Sequence, residues 1–184
     1  MLGHTEKRGS FINQKANWIF SRKLYFPIGL KKAKNTYIFV AARFTTAIEN
    51  GIFDSNLRKK IEIIHEVIRS LGVKLYSSHH IEKFGENLSY YDRAVKRDIS
   101  QISRCDIFVA LLEDKLSAGV CTELGWASFV GKKIILIIPD NFDINRVPMI
   151  KGLTTITYCE IVRYADNNIL RDRLHSVLQP LISK

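Results

Sequence analysis

From Thr36 onward, short apolar runs alternate with stretches in which apolar residues recur every three or four positions. Runs of the first kind are typical of buried strands, and stretches of the second kind are typical of helices with one face in the core. Strands that alternate with helices build a parallel sheet. The pattern therefore predicts one Rossmann-like (flavodoxin-like) α/β domain over residues 36–184, with a five-stranded parallel sheet and helices on both faces.

The same pattern predicts bounds for the elements. The strands are Tyr37–Ala41, Val73–Ser77, Asp106–Leu112, Lys133–Ile138 and a weaker one near Thr155–Ile161. The helices are one with Ser55 as its N-cap and Gly72 at its end, then Tyr91–Arg104, Cys121–Val130 and Asn167–Ile182. The side chains predicted to face the core from the second and third helices are Val95, Ile99, Ile102, Trp126 and Phe129. Right-handed crossovers favour the doubly wound strand order 2-1-3-4-5.

The positive charge of the chain is concentrated before Thr36. The chain has a net charge of +10, but residues 1–35 alone carry eight basic residues and one acid. The remaining modest excess weakens the case for a nucleic-acid polymer as partner and still suits a small anionic substrate. Residues 1–35 are interpreted as a basic extension that is either disordered or an organellar targeting segment.

Cysteine usage and hydropathy bear on the compartment. The chain has three cysteines and no C-x-x-C pair, which favours reduced thiols over disulfides or structural zinc. No apolar run reaches the ~18 residues that a membrane span needs. We therefore expect a soluble, cytoplasmic protein.

Two loops are predicted to form the functional site. Ligands of open parallel sheets bind beyond the carboxyl ends of the strands, where the strand order reverses. This rule selects residues 42–46 and 114–123, which follow the first and third strands. Neither loop has the glycine pattern of dinucleotide-binding or P-loop proteins. Arg43, several hydroxyl groups and a helix N-terminus would suit a phosphate instead.

Two acids are candidates for chemistry. Glu123 is predicted in the first turn of its helix, where the helix dipole would keep it ionised, as a nucleophile requires. Acids in first turns are also common as simple caps, so position alone leaves both interpretations open. Asp98 stands beside Lys96 and Arg97, and such a charge run usually marks a solvated surface.

A series of short motifs runs from Asp98 to Pro139. Its members are Asp98 on a helix, Cys105–Ala110, Ser117–Gly119, Thr122–Ala127 and Gly131–Ile135. In this order they resemble the nucleoside 2-deoxyribosyltransferase superfamily, and more closely its branch of 2′-deoxynucleoside 5′-monophosphate N-hydrolases and CMP hydrolases. The resemblance extends over about Tyr37 to Leu178.

The resemblance implies roles for three of these residues. The catalytic Glu of the family matches Glu123, and the helix-borne Asp that assists departure of the base matches Asp98. Ser117 stands six residues before Glu123, where the deoxyribosyltransferases typically have Asp and the monophosphate hydrolases have Ser. A hydroxyl can donate to a phosphate that a carboxylate would repel, so a 5′-monophosphate is the expected substrate.

Other binding residues follow from the same two loops. Arg43 matches the phosphate-facing Arg of the family, although the glycines that usually follow it are here Phe44 and Thr45. Phe44 is expected to shape the sugar pocket, and Gly119 to let the backbone approach the phosphate. His79, after the second strand, could contact the base or, with less support, bind a metal.

A later segment bears on assembly. Pro148–Gly152, followed by Thr154, Thr155 and Thr157, resembles a segment that reaches the phosphate site of the neighbouring subunit in the family. The resemblance therefore implies a homodimer with shared active sites, to which Thr157 would contribute.

The predicted function is hydrolysis of the N-glycosidic bond of a (2′-deoxy)nucleoside 5′-monophosphate through a covalent Glu123 intermediate, without metal or cofactor. Asp98 would help to protonate the base. The alternatives are a nucleoside 2-deoxyribosyltransferase, an NAD glycohydrolase like those among TIR domains, and a non-catalytic nucleotide sensor. The sequence identifies neither the base nor the choice between ribose and deoxyribose.

Overall fold

A computed structural model describes residues 36–113 and 115–182 of the chain. The strands are β1 (Tyr37–Ala41), β2 (Ile48–Glu49), β3 (Ile52–Phe53), β4 (Lys74–Ser77), β5 (Ile107–Leu111), β6 (Lys133–Pro139) and β7 (Cys159–Tyr164). The helices are α1 (Ser55–Ser70), α2 (Ser78–Ile81), α3 (Tyr91–Arg104), α4 (Ala118–Phe129), α5 (Pro148–Lys151) and α6 (Asn167–Ile182). The predicted targeting or disordered extension lies outside the described residues.

The main sheet has the order β4-β1-β5-β6-β7, and its strands are all parallel. This is the doubly wound order predicted from the sequence. Helices α1 and α6 cover one face, and α3 and α4 cover the other. Every residue of the central strand β5 is buried as a result. The predicted fold class is confirmed.

The N-cap of helix α1 is Asp54, not Ser55 as predicted, and Ser55 is the first residue of the helix. The carboxylate of Asp54 accepts hydrogen bonds from the backbone amides of Asn56 and Leu57, both at 3.0 Å. Carboxylates satisfy the free amides of a first turn especially well, so Asp54 takes the role. Gly72 follows the C-terminal end of α1 and has a φ of +71°, which non-glycine residues rarely adopt.

A small hairpin, β2–β3, is a feature that the periodicity did not predict. Its turn is Asn50-Gly51, with φ values of 51° and 77°. Asn followed by Gly is the preferred sequence for a tight hairpin turn with two positive φ angles. The dipeptide was therefore a usable signal, but strands of two residues are too short to show an alternating pattern.

The predicted starts of two elements are wrong by three residues or more, whereas the other strand bounds differ from the prediction by at most one residue. Helix α4 begins at Ala118 rather than Cys121, with Ser117 as its N-cap residue and Gly119 accommodated within its first turn. Strand β7 begins at Cys159 rather than near Thr155, because the residues before it form a 3₁₀ turn over Gly152–Thr155. No helix within the described residues is long and apolar enough to cross a membrane.

Three predicted core residues are exposed. Val95 and Ile99 are 50% and 45% exposed, and only Ile102 of that stripe is buried. Helix α3 packs on the sheet through its C-terminal half, while its first half borders a cavity. Phe129 is 80% exposed, because α4 packs through the stripe that contains Leu124 and Ala127. The core interpretation of Val95, Ile99 and Phe129 was wrong.

Candidate active site

A cavity of about 520 Å³ opens beyond the carboxyl ends of β1 and β4, in the range of ordinary ligand pockets. The loop after β5 completes it, so the cavity occupies the switch point where the sheet order reverses. Six of the predicted site residues line it together: Phe44, His79, Asp98, Ser117, Gly119 and Glu123. Arg43 and Thr157 are not among its lining residues.

Asp98 is held at the cavity by hydrogen bonds to one of its oxygens. Its side chain is 14% exposed, so the interpretation as a solvated surface residue was wrong. The hydroxyls of Tyr76 and Ser78 donate to Oδ1 at 2.6 and 2.9 Å. Arg97 lies at 3.5 Å from the same oxygen and also pairs with Glu82, which lines the cavity. These contacts fix the position of the Asp98 carboxyl group at the cavity.

Glu123 lies in the second turn of α4, not in the first turn as predicted. The helix dipole acts mainly within the first turn, so it does not control this carboxyl group. Burial, with a smaller contribution from the charge of Asp98, raises the pKa of Glu123 to about 8. The expectation that Glu123 is the ionised member of the pair is therefore corrected: in the unliganded protein it carries a proton at pH 7.

The N-terminus of α4 faces this part of the site. Ser117 is the N-cap residue, and its side chain makes no capping hydrogen bond, so its hydroxyl has no hydrogen-bond partner among the described residues and can bind a ligand. The amides of a first helical turn lack intrahelical partners. Among the described residues that line the cavity there is no Lys or Arg. An anionic group would therefore be held here by hydroxyl and amide donors rather than by a cation.

Arg43 is engaged in ion pairs within the chain. Its guanidinium contacts Asp54 at 2.5 Å and Glu113 at 3.3 Å, and it donates to the carbonyl of Thr46 at 3.0 Å. Lys60 pairs with the other oxygen of Glu113. These contacts tie the loop after β1 to the start of α1 and the end of β5. The phosphate-binding role of Arg43 stays a prediction, and it would require at least one of these pairs to be exchanged.

His79 is buried on α2, in a region predicted as a polar loop. Its Nε2–H donates to the carbonyl of Arg43 at 3.2 Å. The ring of Phe44, which lines the cavity, lies 4.9 Å from the imidazole. Burial lowers the pKa of His79 to about 4, so the ring is neutral at pH 7. In this arrangement His79 positions the loop after β1 and presents no positive charge to a phosphate.

Thr157 lies at the amino ends of the strands, at the opposite end of the sheet from the cavity. It precedes β7 and donates to the carbonyl of Lys132, which precedes β6. The amino ends of parallel strands all lie on one side of the sheet and the carboxyl ends on the other, so Thr157 is remote from the cavity. A contribution of Thr157 to an active site would have to be made to a second copy of the chain.

Sequence reasoning missed Tyr76, Ser78 and Glu82. Ser78 follows β4 directly, and the rule that ligands bind at the carboxyl ends of strands would have selected it. Tyr76 is an apolar-pattern residue within a strand, and nothing in its sequence context indicates that its hydroxyl reaches Asp98.

The family assignment follows from a comparison of sequences. A sequence model described as nucleoside 2-deoxyribosyltransferase matches residues 46–162, which is more than half of the chain. The chain belongs to the nucleoside 2-deoxyribosyltransferase family. The predicted resemblance is confirmed, and the matched range includes Asp98, Ser117 and Glu123. No curated protein sequence matches the chain.

Solved structures agree with this assignment. The CMP N-glycosidase BcmB of Clostridium botulinum is 26% identical, with a TM-score of 0.59 over 76% of this chain and 98% of that one. BlsM, known from a solution structure, is 21% identical, with a TM-score of 0.69 over 82% and 94% of the two chains. A flavodoxin-like domain from Synechococcus is 11% identical, with a TM-score of 0.50 over 80% and 99%. The last two similarities show the fold alone.

Proposed function

We propose that this member of the family is an N-glycosidase that hydrolyses a nucleoside 5′-monophosphate to free base and sugar 5-phosphate. The observation that carries the proposal is the placement of Glu123 and Asp98 in one cavity beside the free hydroxyl of Ser117. The similarity to a CMP N-glycosidase supports hydrolysis at an N-glycosidic bond. Glu123 is the nucleophile, and Asp98 moves the proton that the base requires.

The resting protonation state determines the first step. Glu123 carries a proton at pH 7, since burial and the charge of Asp98 raise its pKa to about 8. A protonated carboxyl group is a poor nucleophile, so this proton has to leave before attack. Asp98 is the neighbouring carboxyl group in the cavity and is the proposed acceptor of this proton. The proton then passes to the departing base, which leaves as a neutral molecule.

Glu123 attacks C1′ as the bond between C1′ and the base nitrogen breaks, which gives a glycosyl ester. Water then attacks C1′, breaks the ester and supplies the hydroxyl of the sugar phosphate. The second proton of that water returns to the carboxyl pair. The balance is one nucleotide and one water consumed for one base and one sugar 5-phosphate released, with the enzyme unchanged.

The phosphate is assigned to the N-terminus of α4. Ser117 has a free hydroxyl there, and the adjacent amides can donate to anionic oxygens. Elsewhere the described lining carries the carboxyl groups of Glu82, Asp98 and Glu123 and no Lys or Arg, so it offers a phosphate no comparable set of donors. The side chain of Glu82 is neutralised by Arg97, at 2.6 Å. This arrangement favours a substrate with the phosphate on one side and the glycosidic bond near the Asp98–Glu123 pair.

The proposal is tested by release of free base from a panel of substrates. The panel contains ribo- and deoxyribonucleoside 5′-monophosphates, the matching nucleosides and NAD, with products separated by chromatography. We expect base release from at least one monophosphate, with kcat/KM at least about 10-fold above that of its nucleoside, since charge-assisted hydrogen bonds to phosphate are lost. Equal rates for nucleoside and nucleotide would contradict the assignment of the phosphate site.

The same panel separates the alternatives. The family name favours transfer of the sugar, so a second, isotopically labelled base is added to each reaction. Label recovered in a new nucleoside or nucleotide would identify a deoxyribosyltransferase, and consumption of NAD alone would identify an NAD glycohydrolase. Tight binding of a monophosphate without any product would identify a non-catalytic sensor.

A homodimer is proposed as the assembled form. Large apolar side chains are exposed on α4 and on the segment before β7, including Phe129, Ile156 and Tyr158. Thr157 bonds to Lys132, so the segment before β7 lies beside the residues that follow α4. Contiguous exposed apolar surface is typical of a protein interface. A second copy is the proposed occupant, because the predicted role of Thr157 requires another subunit.

The mass in solution tests the dimer. We expect light scattering to give about twice the 21.2 kDa of one chain, and Phe129→Glu to give a single-chain mass, because burying a carboxylate in an apolar interface is costly. Ile52→Glu, at an exposed apolar residue of the β2–β3 hairpin that does not line the cavity, is the matched control and should leave the mass unchanged. A single-chain mass for the unaltered protein would contradict the proposal.

A further inference from the structure

Two hydroxyl groups and one guanidinium meet at a single oxygen of Asp98. Tyr76 and Ser78 donate to Oδ1 at 2.6 and 2.9 Å, and Nε of Arg97 lies 3.5 Å from it. Within the described part of the chain, Oδ2 has no hydrogen-bond partner. The two oxygens of this carboxylate are therefore not equivalent.

The donors are fixed by the fold. Tyr76 is a buried residue of β4, and its ring stacks on that of Phe39 with centroids 5.0 Å apart. Ser78 follows β4 and begins α2. Both hydroxyls are thus carried by the sheet or its immediate continuation, whereas Asp98 approaches from α3. The hydrogen bonds set the rotation of the Asp98 side chain relative to the sheet that carries the rest of the cavity.

We propose that Tyr76 and Ser78 are positioning residues, whose hydroxyls occupy Oδ1 of Asp98 so that Oδ2 is the oxygen that passes the proton to the departing base. The inference rests on the proposed function, because it assigns a role within that reaction. Tyr76 does not line the cavity, so it acts through Asp98 alone. Ser78 lines the cavity and can also border the substrate.

The chemistry of the two groups suits this role. Burial and the hydrogen bond to Asp98 raise the pKa of the Tyr76 phenol, so it stays a donor throughout the pH range of the reaction. Because both hydroxyls donate to Oδ1, Oδ2 is the oxygen left to receive a proton during turnover and to give it to the base. Without these hydrogen bonds the Asp98 side chain could rotate, and Oδ2 would no longer be held toward the departing base.

Tyr76→Phe tests the inference, since Phe keeps the ring and its stack on Phe39. We expect kcat for base release to fall about 10-fold with KM changed less than about twofold, since a hydrogen bond to a charged group is lost without a direct substrate contact. Tyr37→Phe is the matched control. Its hydroxyl also donates to α3, to Gln101 at 2.6 Å, but outside the cavity. The control should keep the kcat of the unaltered chain.

A double-variant cycle separates positioning from general support of the fold. Because Tyr76 acts through Asp98, Tyr76→Phe should cause no further loss of kcat in an Asp98→Ala background. The same fold-loss in both backgrounds, or no loss in either, would overturn the inference while leaving the hydrolase proposal in place. Absence of base release by the unaltered chain would instead overturn the proposed function, and this inference with it.

Discussion

Glu123→Gln is expected to lower the rate of base release by at least about 10³-fold, the loss typical of removing a nucleophile. Gln has nearly the same shape, but its amide cannot form the ester with C1′. The measurement is the rate of base release under substrate saturation, with the monophosphate that the panel identifies. Glu49→Gln, an exposed acid in the β2–β3 hairpin, is the matched control and should keep full activity.

The stability of the Glu123→Gln variant distinguishes a functional from a structural role. The pKa of Glu123 is about 8 in the folded protein and near 4.5 in the unfolded chain. The folded state therefore binds more protons between these pH values, and the free energy of unfolding of the unaltered chain falls as pH rises through that window. Gln does not titrate, so the variant should be more stable at pH 9.

We expect that gain to be on the order of 1–3 kcal/mol, less than the whole pKa shift implies because cavity water reaches the carboxyl group. Urea unfolding at pH 5 and pH 9 measures it. A variant that is inactive and less stable than the unaltered chain at both pH values would identify Glu123 as a structural residue.

Asp98→Asn is expected to reduce kcat by about 10²–10³-fold, because the proton of Glu123 loses its acceptor and the base loses its acid. The pH dependence should change as well. For the unaltered chain, kcat/KM should fall above about pH 8, where Glu123 loses the proton that the proposed reaction passes to the base. The charge of Asp98 contributes to the raised pKa of Glu123, so removing it lowers that pKa. The alkaline limb of the pH profile, where kcat/KM falls, should therefore move to lower pH in the variant.

Rates from pH 5 to 10 measure both effects. Asp92→Asn is the matched control, since Asp92 lies on the same helix, is exposed and, among the residues that the structure describes, pairs only with Lys96. It should leave the rate and the pH profile unchanged. An Asp98→Asn variant that loses rate equally at every pH, without movement of the limb, would show that Asp98 does not share a proton with Glu123.

The parts of the fold that were predicted correctly are those with a strong local pattern. Helix α3 and helix α6 have the predicted bounds, and the strand order follows from the chirality of parallel crossovers. The switch-point rule also selected the segment that carries Ser117 and Glu123 to the cavity, whereas Asp98 was selected by the family resemblance alone. These outcomes depend on periodicity and connectivity, which the sequence carries directly.

The protonation of the site could not be predicted, because it depends on a boundary and on burial. A start of α4 three residues earlier moves Glu123 out of the first turn, and the surrounding protein then determines its pKa. The contacts of Arg43 with Asp54 and Glu113 likewise join segments that meet only in the folded chain. The hydrogen bond from Tyr76 to Asp98 likewise joins residues 22 positions apart, which only the folded chain brings together.

The interior position of β1 in the sheet, between β4 and β5, has a consequence for synthesis of the chain. β1 pairs with β4 on one side and with β5 on the other. The pairing of Ile38 with Ile107 can form only after β5 has been synthesised. Pairings between residues far apart in sequence form slowly. A nascent chain that ends before β5 therefore keeps one edge of β1 unpaired, an apolar strand open to other chains. Binding of a chaperone at this stage would shield that edge until residue 111 has left the ribosome.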